Sequence, residues 1–504
     1  MPTIVRAKLL LALSDELGRS TRICDGFVLY EGTTILDRGV FRKDIATGLE
    51  SRYGDSLKVI RPLDHRPPAR LHNSEHHVPV DGKWFCHDAI LLPGFVKAHG
   101  HDHEAPIIGV GRDLPLTEWL DEAINVFTSY IENRYEVFVQ AHGFSPNRLC
   151  YEKARLDDIY YGITSTMVHQ CNYAKNHVEE LIEVNEQAGT HMTIAVGSQD
   201  RNFYEKVLDT PRELAVHRLD RYRELVEHSE HTRIIPGPDQ CFSNSPKMLK
   251  MLKTWANKHD SLVHIHSSEE PNTTAWFCKK YGMTPVQYLD SVGFLDSKTL
   301  LAHQVNCTEE DLDLLVSRGA MIAHNPTANT ILGSGMPPVL EFLERGIPVA
   351  VATDGSGSSD NQNMIAATRL ASQYQKALHQ DARVLPAQKA LELITVEPAQ
   401  ILGLNAGQLD PGKSADLILV DTRRPNLTPT RASNAVENLI WSADGSEIDT
   451  VIAGGKLLLH NKRYQTLDAT RILGQTEEFM EEFDTFKAEM KTPSGTGAPR
   501  SSQT

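Results

Sequence analysis

His99 and His101, in the run Pro93-Gly-Phe-Val-Lys-Ala-His99-Gly-His101, are spaced to share one metal ion. Side chains alternate along a strand, so residues i and i+2 project from the same face. A strand that ends in His-x-His therefore offers two imidazole nitrogens side by side on a rigid support. Further on, His266 and Glu269 stand three residues apart in Val263-His-Ile-His-Ser-Ser-Glu269. His303 closes the apolar run Leu300-Leu-Ala-His303, and Asp354 closes Ala350-Val-Ala-Thr-Asp354. Each has a plain explanation by itself: a histidine packed in a core, or an Asp-Gly pair that ends a strand in a turn. Taken together they all fall at exits of predicted strands. Three histidines and one aspartate brought to one place make four N/O donors, a set suited to Zn²⁺ or Fe²⁺.

The elements that must position these residues are visible as a repeat. Apolar β-type runs cover 94–101, 162–170, 191–199, 233–240, 261–269, 299–305, 320–325 and 348–354. Each is followed by helix-like sequence, such as Val178–Ala188, Glu309–Arg318 and Pro338–Arg345. This alternation predicts an α/β fold with a (β/α)8 TIM-type barrel over residues 93–404, whose chemistry sits at the C-terminal strand ends. Short strand-like pieces occupy 1–92 (Val28–Tyr30, Thr34–Leu36 and Ala89–Leu92) and recur over 405–470 (Ala415–Asp421 and Asp449–Lys456). The two chain ends are expected to build a smaller β-sandwich domain that brackets the barrel. Arg66–Asn73 reads as a loop, 471–491 as a charged surface helix, and Thr492–Thr504 as a disordered tail rich in Ser, Gly, Pro and Thr.

Composition narrows the partners. The chain has 504 residues, 40% hydrophobic and 23% charged, with a formal charge of −15. That balance argues against nucleic acid or an anionic membrane as a partner. The seven cysteines (Cys24, Cys86, Cys150, Cys171, Cys241, Cys278 and Cys307) are scattered and contain no Cys-x-x-Cys pair, as in a reducing compartment. The apolar run Leu9–Leu13 is too short for a signal-peptide core, so the expected location is cytoplasmic.

Several further motifs accompany the ligand set: Ser291-Val-Gly-Phe-Leu, Ala323-His-Asn-Pro-Thr-Ala-Asn329, Gly333-Ser-Gly335, Thr353-Asp-Gly355 and Gly407-Gln-Leu-Asp-Pro-Gly-Lys-Ser-Ala-Asp416. With His99-Gly-His101 and His266-Ser-Ser-Glu269 in that order, the chain resembles the amidohydrolase superfamily, in its cytosine-deaminase and chlorohydrolase-like branch. The resemblance implies one divalent ion, zinc or iron, held by His99, His101, His266 and Asp354. Such an ion brings bound water towards ionisation near neutral pH. Asp354 and His303 would then orient and deprotonate the water, and Glu269 would carry protons to a ring nitrogen and the leaving group. His303 would also stabilise developing charge.

The resemblance implies hydrolytic deamination of a small nitrogen heterocycle, in a homo-oligomer, dimer or tetramer. Two-metal relatives need a carboxylated lysine at the end of the fourth strand; Ile235-Pro-Gly-Pro-Asp-Gln240 has none, which favours a single ion, with Asp239 the residue that could overturn this. Many members of the branch carry a substrate-holding histidine at that point, where this chain has Asp239 and Gln240. Gln240 can both donate to and accept from a lactam or amidine edge. Asp239, Gln240, His169, Trp119 and His303 are the expected substrate contacts. Chloride, an alkylamine or a cyclic amide is an alternative leaving group, and a non-catalytic scaffold is a rival of another class.

Overall fold

The computed structural model describes residues 1–62 and 83–491; the loop expected over Arg66–Asn73 and the tail over Thr492–Thr504 lie outside the described residues. Each of the eight β-type runs forms a strand: β1 (Phe95–Lys97), β2 (Ile163–Gln170), β3 (His191–Ser198), β4 (Thr232–Pro238), β5 (Val263–Ser267), β6 (Thr299–His303), β7 (Met321–His324) and β8 (Val349–Val351). β1 to β4 pair in parallel in chain order, and so do β5 to β8. Gln240, just past β4, makes a parallel bridge to His266 in β5 and joins the two sheets.

The other seam is different. The N–H groups of Val96 and Val351 donate at 2.9 Å to the carbonyls of Ile394 and Leu393, so this short segment binds both β1 and β8. The parallel strands and the helices between them fit a TIM-type arrangement, but direct strand pairing does not close the ring.

Strands buried on both faces explain why the sequence shows apolar runs rather than alternation. Val96, Met167, Ala195, Ile235, Leu300 and Ala350 pack together inside. Val168, Ile194 and Val196 face outward against Val178, Leu181 and Leu219 of the surrounding helices. Helix limits follow local chemistry. Val178–Ala188 stops at Gly189, whose φ of +85° suits glycine. Glu309–Arg318 starts at Thr308, which exchanges capping hydrogen bonds with Asp311.

Both chain ends contribute to a second β unit. Thr3–Leu10, Ile23–Glu31, Thr34–Val40, Lys58–Val59 and His87–Pro93 come from one end. Leu417–Asp421, Ile448–Ala453, Lys456–His460 and Arg463–Tyr464 come from the other. His87–Pro93 is the join, parallel to Thr3–Leu10 and antiparallel to Leu417–Asp421. These strands form one nine-stranded sheet rather than the two sheets of the expected sandwich. The sheet curls far enough for Thr34 to bridge Ser414. Curling replaces a second layer. Leu91, Leu417, Leu419, Val28 and Tyr30 fill its inside, while the alternate residues Ile90, Leu92, Ile418 and Val420 join the main core.

The final helix, Ala469–Lys491, is not only a surface element. It buries Ile472, Phe479 and Phe483, and Phe479 and Phe483 pack edge-on against Phe127. No helix among the described residues is long and apolar enough to cross a membrane.

Candidate active site

The exits of β1, β5, β6 and β8 bring His99, His101, His266, Glu269, His303 and Asp354 to one end of the strands, as parallel pairing requires. His99 Nε2 lies 3.1 Å and His101 Nε2 lies 3.4 Å from Asp354 Oδ1. His266 Nε2 and His101 Nε2 face each other at 3.2 Å. His303 Nε2 is 3.6 Å from Glu269 Oε2 and 4.0 Å from Asp354 Oδ2. The chain turns sharply to achieve this. Ser268, His303, Gln304 and Asp354 have φ of +51°, +74°, +52° and +68°, a left-handed conformation that non-glycine residues adopt at a cost of roughly 1–3 kcal/mol each.

Hydrogen bonds set the tautomers. His101 Nδ1–H donates to the carbonyl of His169 at 2.8 Å, and His266 Nδ1–H donates to the carbonyl of Asp239 at 2.7 Å. Each ring therefore turns a bare Nε2 lone pair inward. Two lone pairs aimed at each other across 3.2 Å repel unless a positive charge lies between them. Ligands held about 2.0–2.1 Å from a tetrahedral ion stand about 3.3 Å apart, which matches these separations. His99 is buried, and its Nδ1 lacks a hydrogen-bond partner. Burial pushes His99 well below the usual histidine range and His266 down to about 4, so the imidazoles are neutral and ligand-ready. The residues present fit a divalent cation.

Glu269 is shaped for proton transfer. Burial pushes its carboxyl up to about 7; Asp354 and Asp239 add to this, and His303 opposes it. Asn329 Oδ1 accepts from His303 Nδ1–H at 2.8 Å and aims Nε2 at Glu269 and Asp354. A cleft beside Glu269 is lined by Leu116, Gln240, Cys241, Phe242, His266 and Ser268.

The expected substrate contacts divide. Gln240 borders the cleft, its main chain held by Ser243 and Asn244. Asp239 is buried next to it, with Oδ1 3.8 Å from His266 Nδ1 and 3.9 Å from His169 Nε2. His169 is buried, and its Nδ1 meets His264 Nδ1 at 2.8 Å. Trp119 lies in the main core against Gly111, and Leu116 of the same helix reaches the cleft instead.

Sequence reasoning missed two features. Lys97 is buried beneath the pair His99 and His101, where its Nζ donates at 2.7 Å to both Asp158 and Gln362. Gln362 in turn donates to the Asp354 carbonyl at 3.1 Å, so this network holds a ligand-bearing turn. A lysine in the apolar run Phe95-Val-Lys-Ala was the available signal. The second is Glu104, buried with an unpartnered Oε2; the run Asp102-His-Glu104 directly after the histidine pair was its signal.

An amidohydrolase family model matches residues 90–458. The chain belongs to the amidohydrolase family. Among curated members, 5'-deoxyadenosine deaminase of Methanothermobacter thermautotrophicus is 31% identical over 458 residues, covering 89% of this chain and 97% of that one. Among solved structures, a zinc-bound adenosine deaminase from Xanthomonas campestris superposes with a TM-score of 0.81 at 21% identity, covering 96% of this chain and 98% of that one. Atrazine chlorohydrolase from Arthrobacter aurescens, complexed with zinc, gives 0.77 at 21% identity, covering 95% of this chain and 100% of that one. At these identities the structural likeness concerns the amidohydrolase fold.

Proposed function

We propose that the protein is a metal-dependent aminohydrolase that replaces the amino group of a small nitrogen heterocycle by oxygen and releases ammonia. The observation that carries this reading is the pair of bare Nε2 atoms of His101 and His266, 3.2 Å apart, with Asp354 and the buried Glu269 beside them. His99, His101, His266 and Asp354 would hold one divalent ion, zinc in preference to iron, and when bound it supplies Lewis-acid activation of water.

The chain's own groups do the rest. Asp354 and His303 orient the water and take its proton, His303 being locked for this by Asn329. Glu269, protonated near neutrality, protonates a ring nitrogen as the tetrahedral centre forms; the proton abstracted from water then leaves with the amine. Gln240 borders the cleft open to the heterocycle, with Asp239 buried beside it. His303 faces the developing negative charge.

Similarity to 5'-deoxyadenosine deaminase over 89% of the chain directs the first test to adenine nucleosides. We further infer a cytoplasmic homo-oligomer, in keeping with seven free cysteines. The test is ammonia release from 5'-deoxyadenosine, adenosine, guanine and cytosine by zinc-loaded protein. One ammonia per oxo product is expected, with loss of activity on chelation and recovery with zinc. A fully loaded protein that releases no ammonia across this panel overturns the reading; chloride or alkylamine release from substituted triazines would point to the alternative leaving groups.

A further inference from the structure

We propose that Glu104 accepts a hydrogen bond from the amino group of the substrate, and so selects an amino leaving group over one without a donor. The inference rests on the aminohydrolase reading. Glu104 ends a short 3-10 turn, Asp102–Glu104, that carries the chain away from His101. Its side chain is buried, Oε1 stands 3.7 Å from His103 Nε2, and Oε2 has no hydrogen-bond partner among the described residues. A buried acceptor left without a donor costs free energy, which points to a donor that arrives with a ligand.

The local cations are already engaged. Arg155 is bound by Asp102 at 2.6 Å and Asp158 at 2.8 Å. Lys97 is bound by Asp158 and Gln362. Arg112, which acts on Glu104 electrostatically, is taken by Asp360 and the Gly357 carbonyl.

The carboxylate lies over the turn that follows β8. A Cβ added at Gly355 would collide with Glu104 Oε2 and lie 3.0 Å from His101 Cβ; one added at Gly357 would lie 2.9 Å from the same oxygen. Two glycines are what let an acid approach the residue next to Asp354 this closely. Glu104 Oε2 therefore sits against the residue that follows Asp354, on the side of that turn that faces the His101 Cβ. A heterocycle attacked beside Asp354 would bring a donor to this oxygen. The exocyclic amino group is a donor at that place, whereas a chloride is not.

The experiment compares adenosine with 6-chloropurine riboside in wild type, Glu104→Leu and Glu104→Gln, with zinc content measured for each. Glu104→Leu is expected to lower kcat/KM for adenosine by about tenfold, the scale of one buried hydrogen bond. The chloro compound, followed by turnover or by its inhibition constant, should change by less than about threefold. Glu104→Gln keeps an acceptor oxygen and should fall between. An equal loss on both compounds, an unchanged adenosine value, or loss of zinc in Glu104→Gln overturns the proposal. Absence of ammonia from any heterocycle in wild type is a separate result, which removes the aminohydrolase reading on which it stands.

Discussion

Replacing Glu269 by Gln keeps size and hydrogen-bonding capacity but removes the proton carrier. Zinc content should stay at the wild-type level while turnover falls by about 10²-fold or more. Unchanged turnover would remove Glu269 from the chemistry. Asn329 acts one step back, through His303 Nδ1. Asn329→Ala frees the ring to rotate and to change tautomer, so kcat should drop about 10–100-fold, the usual cost of losing such an orienting partner, with metal retained. A wild-type kcat in that variant would mean that His303 is held by other contacts. Asp354→Asn leaves the imidazoles without their anionic partner, and elemental analysis should find the ion lost.

At the scale of elements, the join between the outer sheet and β1 is the sensitive point. A Cβ at Gly94 would reach within 2.8 Å of Thr164 Cβ, a buried branched side chain on β2. Gly94→Ala should cost about 1–3 kcal/mol in chemical denaturation, as overpacking does. His87 opens the outer-sheet strand His87–Pro93 that leads into this join and tests its acid sensitivity. Burial, aided by His460 and Arg423, pushes its imidazole down to about 4, while donation to the Ile60 carbonyl opposes the shift. The unfolded chain takes up a proton near pH 6.5 and the folded chain does not, so stability is intact above that value and falls between about pH 6.5 and 4. The loss at this one residue is at most about 3 kcal/mol, and His87→Gln should flatten the slope in that window. A slope identical to wild type would assign acid sensitivity elsewhere.

For the molecule as a whole, the last helix ties the C-terminal end of the outer sheet to the helices around the parallel strands. Phe483 is fully buried among Phe127, Tyr130 and the core. Phe483→Ala should destabilise the fold by about 3–5 kcal/mol, while leaving zinc content at 25 °C unchanged. A shift below 1 kcal/mol would make the helix a peripheral addition. This burial was not legible from charge density alone. The span 471–491 reads as a solvated helix until Ile472, Phe479 and Phe483 are seen to be buried.

Residue type and spacing along the chain determined much by themselves. Apolar runs separated by capped, glycine-ended helices specify eight strand–helix repeats, since hydrogen-bond geometry and side-chain period are local properties. His99, His101, His266, Glu269, His303 and Asp354 stood at the ends of those runs and could be picked out there. Tertiary structure decided what local pattern cannot encode. It put Leu393 and Ile394 between β1 and β8, rolled one sheet where a sandwich was expected, and placed Trp119 in the core rather than over the cleft. It also buried Lys97 and Glu104 around the proposed metal ligands. Such outcomes depend on which distant surfaces meet and on which charges find partners, and both are settled only when the chain closes on itself.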